Sequence, residues 1–174
     1  PLSERADLIV YMDMPKGTAI SETERQALAV NAWFTDETIN PEVSDTTVYI
    51  GEGGPRFYLS LDPAKPDPAS AFLLTNTNDS AGPAAMVERA RRALPLQHPA
   101  ARYRITRLSQ GGAESGIVEV EIRGPDGDVL LAAARQVEAA FAVLPNVVQN
   151  ETDWGNKVLK VIVDIAQDKA REFG

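Results

Sequence analysis

The feature that most constrains this chain is the order in which its hydrophobic periodicity changes. "ADLIVYMDMPKG" alternates loosely and stops at Pro15 and Gly17, as a strand and its turn do. "SETERQALAVNAWF" then switches to helical spacing, with Ile20, Ala27, Val30 and Phe34 on one apolar face. Ser21 and Glu24 form a capping-box pattern at its start, which predicts that their side chains satisfy the first free N–H groups. "EVSDTTVYIG" reads as a second strand and "RFYLSLD" as a third, separated by the glycine-rich "GEGGP". Pro63, Pro66 and Pro68 cannot donate to a ladder, so they predict a stiff outer connection before the next strand, "AFLLTNTN". "GPAAMVERARRAL" is a second helix with Met86, Val87, Ala90 and Leu94 on one side, Pro83 in its first turn and Pro95 helping to end it. "ARYRITRLS" alternates again. In outline, with the short "RFYLSLD" set aside, residues 8–109 read strand, helix, strand, strand, helix, strand. That order predicts an α+β, ferredoxin-like (split βαβ) sandwich, an antiparallel sheet with both helices on one face.

The pattern then restarts. "GIVEVEIRG" is expected to be a strand, with Ile117, Val118, Val120 and Ile122 set against Glu119, Glu121 and Arg123. "DGDVLLAAARQVEAAFAVL" gives a strong helix with Leu130, Ala134, Val137, Phe141 and Leu144 on one face. Burying its larger side chains would contribute roughly 1.5–3 kcal/mol each before entropy is counted. "NVVQNETDWGN" and "KVLKVIVDIA" are expected to pair around Trp154 and Gly155, and "DIAQDKAREFG" to open a further helix. This second unit has no other half. Both ends of the chain read as cuts in something longer.

Composition narrows the function. At 174 residues there is room for one large domain or two small ones. Hydrophobic content of 44% and charged content of 24% are ordinary for a folded protein. A net charge of −8 argues against a nucleic-acid partner, because counterion release drives that binding. Arg89, Arg91, Arg92, Arg102, Arg104 and Arg107 cluster in sequence, and solvated helix and strand faces account for them. The absence of cysteine excludes disulfides, thiolate zinc sites and a cysteine nucleophile. No run reaches the roughly 18 apolar residues of a membrane helix.

Catalytic patterns are thin. His98, the only histidine, lies in the proline-flanked "PLQHPA" and reads as a surface turn. "GEGGP" lacks the following "GK[ST]" and helix of a phosphate loop. Glu119 and Glu121 share a strand face, as a glycosidase or metal pair would, but the solvent side of a sheet explains them, and likewise Asp7 with Asp13 and Asp164 with Asp168. Met12 and Met14 share a face and could hold a soft metal; packing is the plainer account. The residues point to a binding or mechanical module with no active site and no cofactor.

Several segments together resemble a known family. "RFYLSLDP", "PAARYRITRLSQGG", "SGIVEVEIRGPD", "QVEAAFAVLPNVV" and "VLKVIVDIAQDKAREFG" look like the periplasmic porter region of resistance–nodulation–division (RND) efflux transporters of the acriflavine-resistance type. The similarity runs from "LIVYMDMPKGTAISETE" to the last glycine and is carried by the order and spacing of the segments. It is to the second periplasmic loop. It implies that residues 1–113 form a first porter subdomain (βαββαβ) and 114–174 the first half of a second, interrupted by an insertion. It further implies a proton-driven inner-membrane pump, with this segment periplasmic. The pump would be a homotrimer working with a periplasmic adaptor and an outer-membrane channel, and its substrates hydrophobic or amphiphilic small molecules.

By the same resemblance, Gly51, Glu52, Gly53, Gly54 and Pro55 stand where the family has a glycine-rich switch loop. Arg56, Phe57, Ile117, Glu119, Asn150 and Glu151 would line the substrate path, the entrance cleft lying between the two subdomains. Metal-exporting relatives carry several methionines along this path; here most of those positions are not Met, which favours an organic or lipid-like substrate. Two other readings remain open: a free-standing ferredoxin-like binding or regulatory domain, and a hydrolase using Glu119 and Glu121.

Overall fold

The computed structural model describes residues 4–56, 65–78, 82–109, 118–145, 147, 150, 152–159 and 161. Its elements are β1 (Glu4–Asp13), α1 (Ile20–Phe34), β2 (Val43–Ile50), β3 (Ser70–Thr77), α2 (Gly82–Gln97), β4 (Arg102–Ser109) and α3 (Gly127–Ala142). The four strands form one sheet in the order β2-β3-β1-β4, with every neighbouring pair antiparallel. The fold is therefore α+β. Among the described residues two strands, β2 and β3, lie between the first two helices; of the expected strand "RFYLSLD", all but Arg56 is outside the described residues.

Strand periodicity decides which side chains face the helices. Leu8, Val10 and Met12 of β1, Ala71 and Leu73 of β3, and Tyr103 and Ile105 of β4 point to one side. There they meet Ala27, Val30, Trp33 and Phe34 of α1 and Met86, Val87, Ala90 and Leu94 of α2. α1 packs over β2 and β3, and α2 over β4 and β1. Met14 joins the same core, so both methionines are packing residues. A buried polar corner closes the far end: Asn40 Nδ2 donates to the Trp33 carbonyl at 2.6 Å, and Arg89 Nε donates to Asn40 Oδ1 at 2.9 Å. Arg89 also pairs with Glu42. One side chain thus ties the end of α1, the approach to β2 and the middle of α2.

Three expectations change. Ser21 is not the cap of α1: the cap position lies two residues earlier, at Ala19, which makes no side-chain cap bond, and the helix begins at Ile20. The Thr18 hydroxyl is committed to the Pro15 carbonyl in the preceding turn (2.6 Å), and the Glu22 and Thr23 N–H groups close on the Ala19 carbonyl. Ile20 consequently sits at the helix edge, 53% exposed. Thr23 occupies the buried position and donates its hydroxyl to the Pro68 carbonyl at 2.7 Å. Pro95 does not end α2, which carries it in the last turn and runs to Gln97. A last-turn proline forfeits only the bond its own nitrogen would have made.

The third change concerns the second unit. α3 forms as expected and is capped by Asp126, whose Oδ1 accepts from the Asp128 and Val129 N–H groups at 2.9 and 3.1 Å. None of its residues is buried, however. The described part of the expected strand before it, residues 118–124, forms no strand and pairs in no ladder, and the described residues of 150–161 form none either. With no described sheet beneath it, the apolar stripe of α3 stays half exposed. Residues 162–174, and with them Asp164, Asp168 and the expected last helix, lie outside the described residues.

Candidate functional site

The sheet has a second apolar face, turned away from α1 and α2. Odd positions of β1 place Ile9, Tyr11 and Asp13 there. Register then aligns one residue from each strand in a single row, because Tyr49 opposes Phe72, Phe72 opposes Tyr11, and Tyr11 opposes Arg104. The rings interact edge-on: Tyr11 and Phe72 have centroids 5.2 Å apart at 74°, and Tyr49 and Phe72 are 5.9 Å apart at 58°. The Arg104 guanidinium carbon stands 3.7 Å from the centroid of Tyr11. Although Phe72 faces away from α1 and α2, it is only 1% exposed.

Part of its cover is the glycine segment that follows β2. Gly51 leaves the strand with its N–H donating to the Ser70 carbonyl (2.8 Å) and its carbonyl accepting from the Asp67 N–H (3.0 Å). The segment then folds back over the sheet. Gly54 has φ +72°, and a Cβ at this position would lie 2.8 Å from Cδ1 of Phe72. Only glycine permits both that backbone and that approach. Beside this contact lies a depression of about 190 Å³. Tyr11 and Phe72 line it with aromatic rings, Asp13 and Glu52 bring carboxylates, and Arg104 brings the cation. Gly53, Ser70 and Ala71 complete its lining.

Two titrating groups are displaced from their ordinary values, Asp67 in the turn that holds Gly51 and Tyr103 on the helix-facing side of the sheet. The ammonium of Lys16 and the Ala69 N–H hold the Asp67 carboxyl below the usual carboxylate range. Burial pushes the Tyr103 phenol up to about 12, and its hydroxyl donates to the His98 carbonyl at 3.0 Å. His98 itself caps the end of α2 through its N–H to the Leu94 carbonyl (2.8 Å).

The residues singled out from sequence are dispersed. Glu52 and Gly53 line the depression, Gly54 covers Phe72, and Gly51 anchors the segment; Pro55 and Arg56 follow, exposed. Phe57, Ile117 and Glu151 lie outside the described residues. Glu119 is exposed on the unpaired run before α3. Glu121 accepts from Arg123 at 2.8 Å, on the surface. Asn150 donates from Nδ2 to the Glu138 carbonyl at 2.6 Å and so fastens the chain back on α3. Neither Glu119 nor Asn150 is among the residues lining the depression. Sequence reasoning missed Tyr11, Tyr49, Phe72 and Arg104. A signal was present: "LIVYM" is apolar at consecutive positions, which is how a strand covered on both faces reads.

Chemically the site offers aromatic surface, two carboxylates and one guanidinium, a set suited to holding an amphiphilic molecule. Among the described residues, no three His, Cys, Asp or Glu side chains gather as a metal-ligand set. No described helix is long and apolar enough to cross a membrane. No protein-family model matches the chain, and no curated protein matches it.

Proposed function

We propose that this chain is part of the periplasmic porter region of an RND-type, proton-driven efflux transporter of the inner membrane. In this reading it holds and passes hydrophobic or amphiphilic small molecules and catalyses no covalent chemistry. The observation that carries the reading is the aromatic row Tyr49–Phe72–Tyr11, flanked by Arg104 and covered at Phe72 by the glycine segment. A path for varied apolar substrates needs aromatic surface with few directional contacts, and a cover whose backbone can move.

Further support comes from the sequence resemblance and from topology. The order β2-β3-β1-β4, with α1 and α2 on one face, is what a ferredoxin-like split βαβ unit requires. On this reading residues 1–113 are one porter subdomain and 114–174 the first half of the next. The incomplete cover of α3 fits a sheet completed by later chain. The whole pump would be a homotrimer served by a periplasmic adaptor and an outer-membrane channel.

The test is in the parent transporter, expressed in a bacterium lacking its other pumps. Gly54→Ala and Tyr49→Ala should each lower resistance to amphiphilic toxicants at undiminished protein level. Unchanged resistance in both would sink the reading. A second reading, a free-standing binding or regulatory domain, draws on the closed core that β1–β4, α1 and α2 make by themselves. The parent reading frame separates the two, since a pump needs about twelve hydrophobic stretches of roughly 20 residues.

A further inference from the structure

Lys16 lies at a junction that neither the core nor the aromatic row explains. Its backbone is gripped on both sides by one side chain: the Lys16 N–H donates to Asn156 Oδ1 at 2.6 Å, and Asn156 Nδ2 donates to the Lys16 carbonyl at 3.0 Å. The amide of Asn156 therefore pairs with residue 16 as a strand edge would. The Lys16 stem lies across Gly155, where an added Cβ would come 2.7 Å from Lys16 Cγ, and Val158 packs against Gly17. These contacts span 140 positions of sequence.

The other end of Lys16 reaches the glycine segment. Its ammonium pairs with Asp67 Oδ2. Asp67 is otherwise fixed by its own turn, with Oδ1 accepting from the Ala69 N–H at 2.9 Å and its carbonyl from the Ser70 N–H at 3.0 Å. The Asp67 N–H in turn donates to the carbonyl of Gly51, the residue from which the segment over Phe72 departs. Asn156, Lys16, Asp67 and Gly51 are thus joined in series by direct polar contacts.

We infer that Lys16 is a positioning residue: docking of residues 154–158 on the turn after β1 sets, through Lys16 and Asp67, where the glycine segment lies over the aromatic row. Its importance for transport rests on the function proposed above; the coupling itself does not. If the segment of Trp154 to Val158 moves away, Lys16 loses its backbone clamp and its packing on Gly155, and the ammonium is free to leave Asp67. The Gly51 turn then keeps its bonds to Ser70 and Asp67, but Asp67 is held by its own turn alone.

Amide hydrogen exchange on the full 174-residue chain tests this without any ligand. The readout is protection at Gly51 and Asp67, with Val10 and Leu73 in the sheet centre as internal reference. Lys16→Met should speed exchange at Gly51 and Asp67 about three- to tenfold, and Lys16→Arg should restore most of the protection. Asn156→Ala should speed the same two amides and add little on top of Lys16→Met, because both act through one series. Gly155→Ala, which displaces the Lys16 stem, should behave like Asn156→Ala. If Asn156→Ala and Gly155→Ala leave Gly51 and Asp67 unchanged, the coupling is refuted. If either loosens Val10 and Leu73 equally, the effect is general instability and the inference fails too. Failure here would leave the resistance test standing, and the reverse also holds.

Discussion

Arg104 stacks on Tyr11 across the β1–β4 ladder, its guanidinium carbon 3.7 Å from the ring centroid. The contact fixes the cation at the edge of the aromatic row and shields one face of Tyr11. Replacing it tests how far the row depends on that cation. Arg104→Met should keep the fold, lower stability by about 0.5–2 kcal/mol and change tyrosine emission. Chemical denaturation followed by tyrosine fluorescence reads both. Unaltered stability and emission would mean that the stacking contributes nothing in solution.

Tyr103 makes a prediction at high pH. Its pKa is raised from 10 to about 12 by burial, so the folded state favours the neutral phenol while the unfolded chain ionises at the ordinary value. The resulting stability is fully present below pH 10 and is lost as pH rises towards about 12. The loss amounts to about 2–3 kcal/mol at the upper end. Alkaline titration of absorbance should show one tyrosine ionising with unfolding. In Tyr103→Phe that alkaline step should disappear, at a cost near neutrality of about 1 kcal/mol for the bond to the His98 carbonyl.

The Asn40 corner predicts a stability effect far from the depression. Asn40→Ala leaves both the Trp33 carbonyl and Arg89 Nε without the partner they have now. The loss should be about 1–3 kcal/mol, read as a shift in urea midpoint at constant slope. Because Arg89 and Asn40 share one network, adding Arg89→Met to Asn40→Ala should cost less than the sum of the two single changes. Strict additivity would show that the corner does not act as a unit.

What the sequence disclosed follows from how local each signal is. α2 was legible down to its buried face, since Met86, Val87, Ala90 and Leu94 follow helical spacing. The start of α1 was misread because "SETE" carries a capping pattern, whereas Thr18 is spent in the preceding turn. The period of α3 was equally plain, but period says only which face is apolar, and nothing described buries it. The aromatic row was not legible, because it depends on register between residues as distant in sequence as Tyr11 and Arg104. Gly51, Gly53 and Gly54 stand out in the sequence as a glycine-rich segment; that Gly54 lies on the edge of Phe72 is visible only in the folded sheet.

The strand order also bears on how the molecule is made. β1 is the first strand of this sheet to leave the ribosome, yet its partners are β3 and β4, and it does not pair with β2. Neither of its edges can be satisfied until the chain has been extended through Thr77, and the second remains open until Ser109 has emerged. During synthesis an apolar strand with two bare edges therefore waits for most of the sheet to be translated. Such a strand is a template for pairing with a neighbouring nascent chain, so the vulnerable interval in the life of this protein is set by translation speed across residues 14–109.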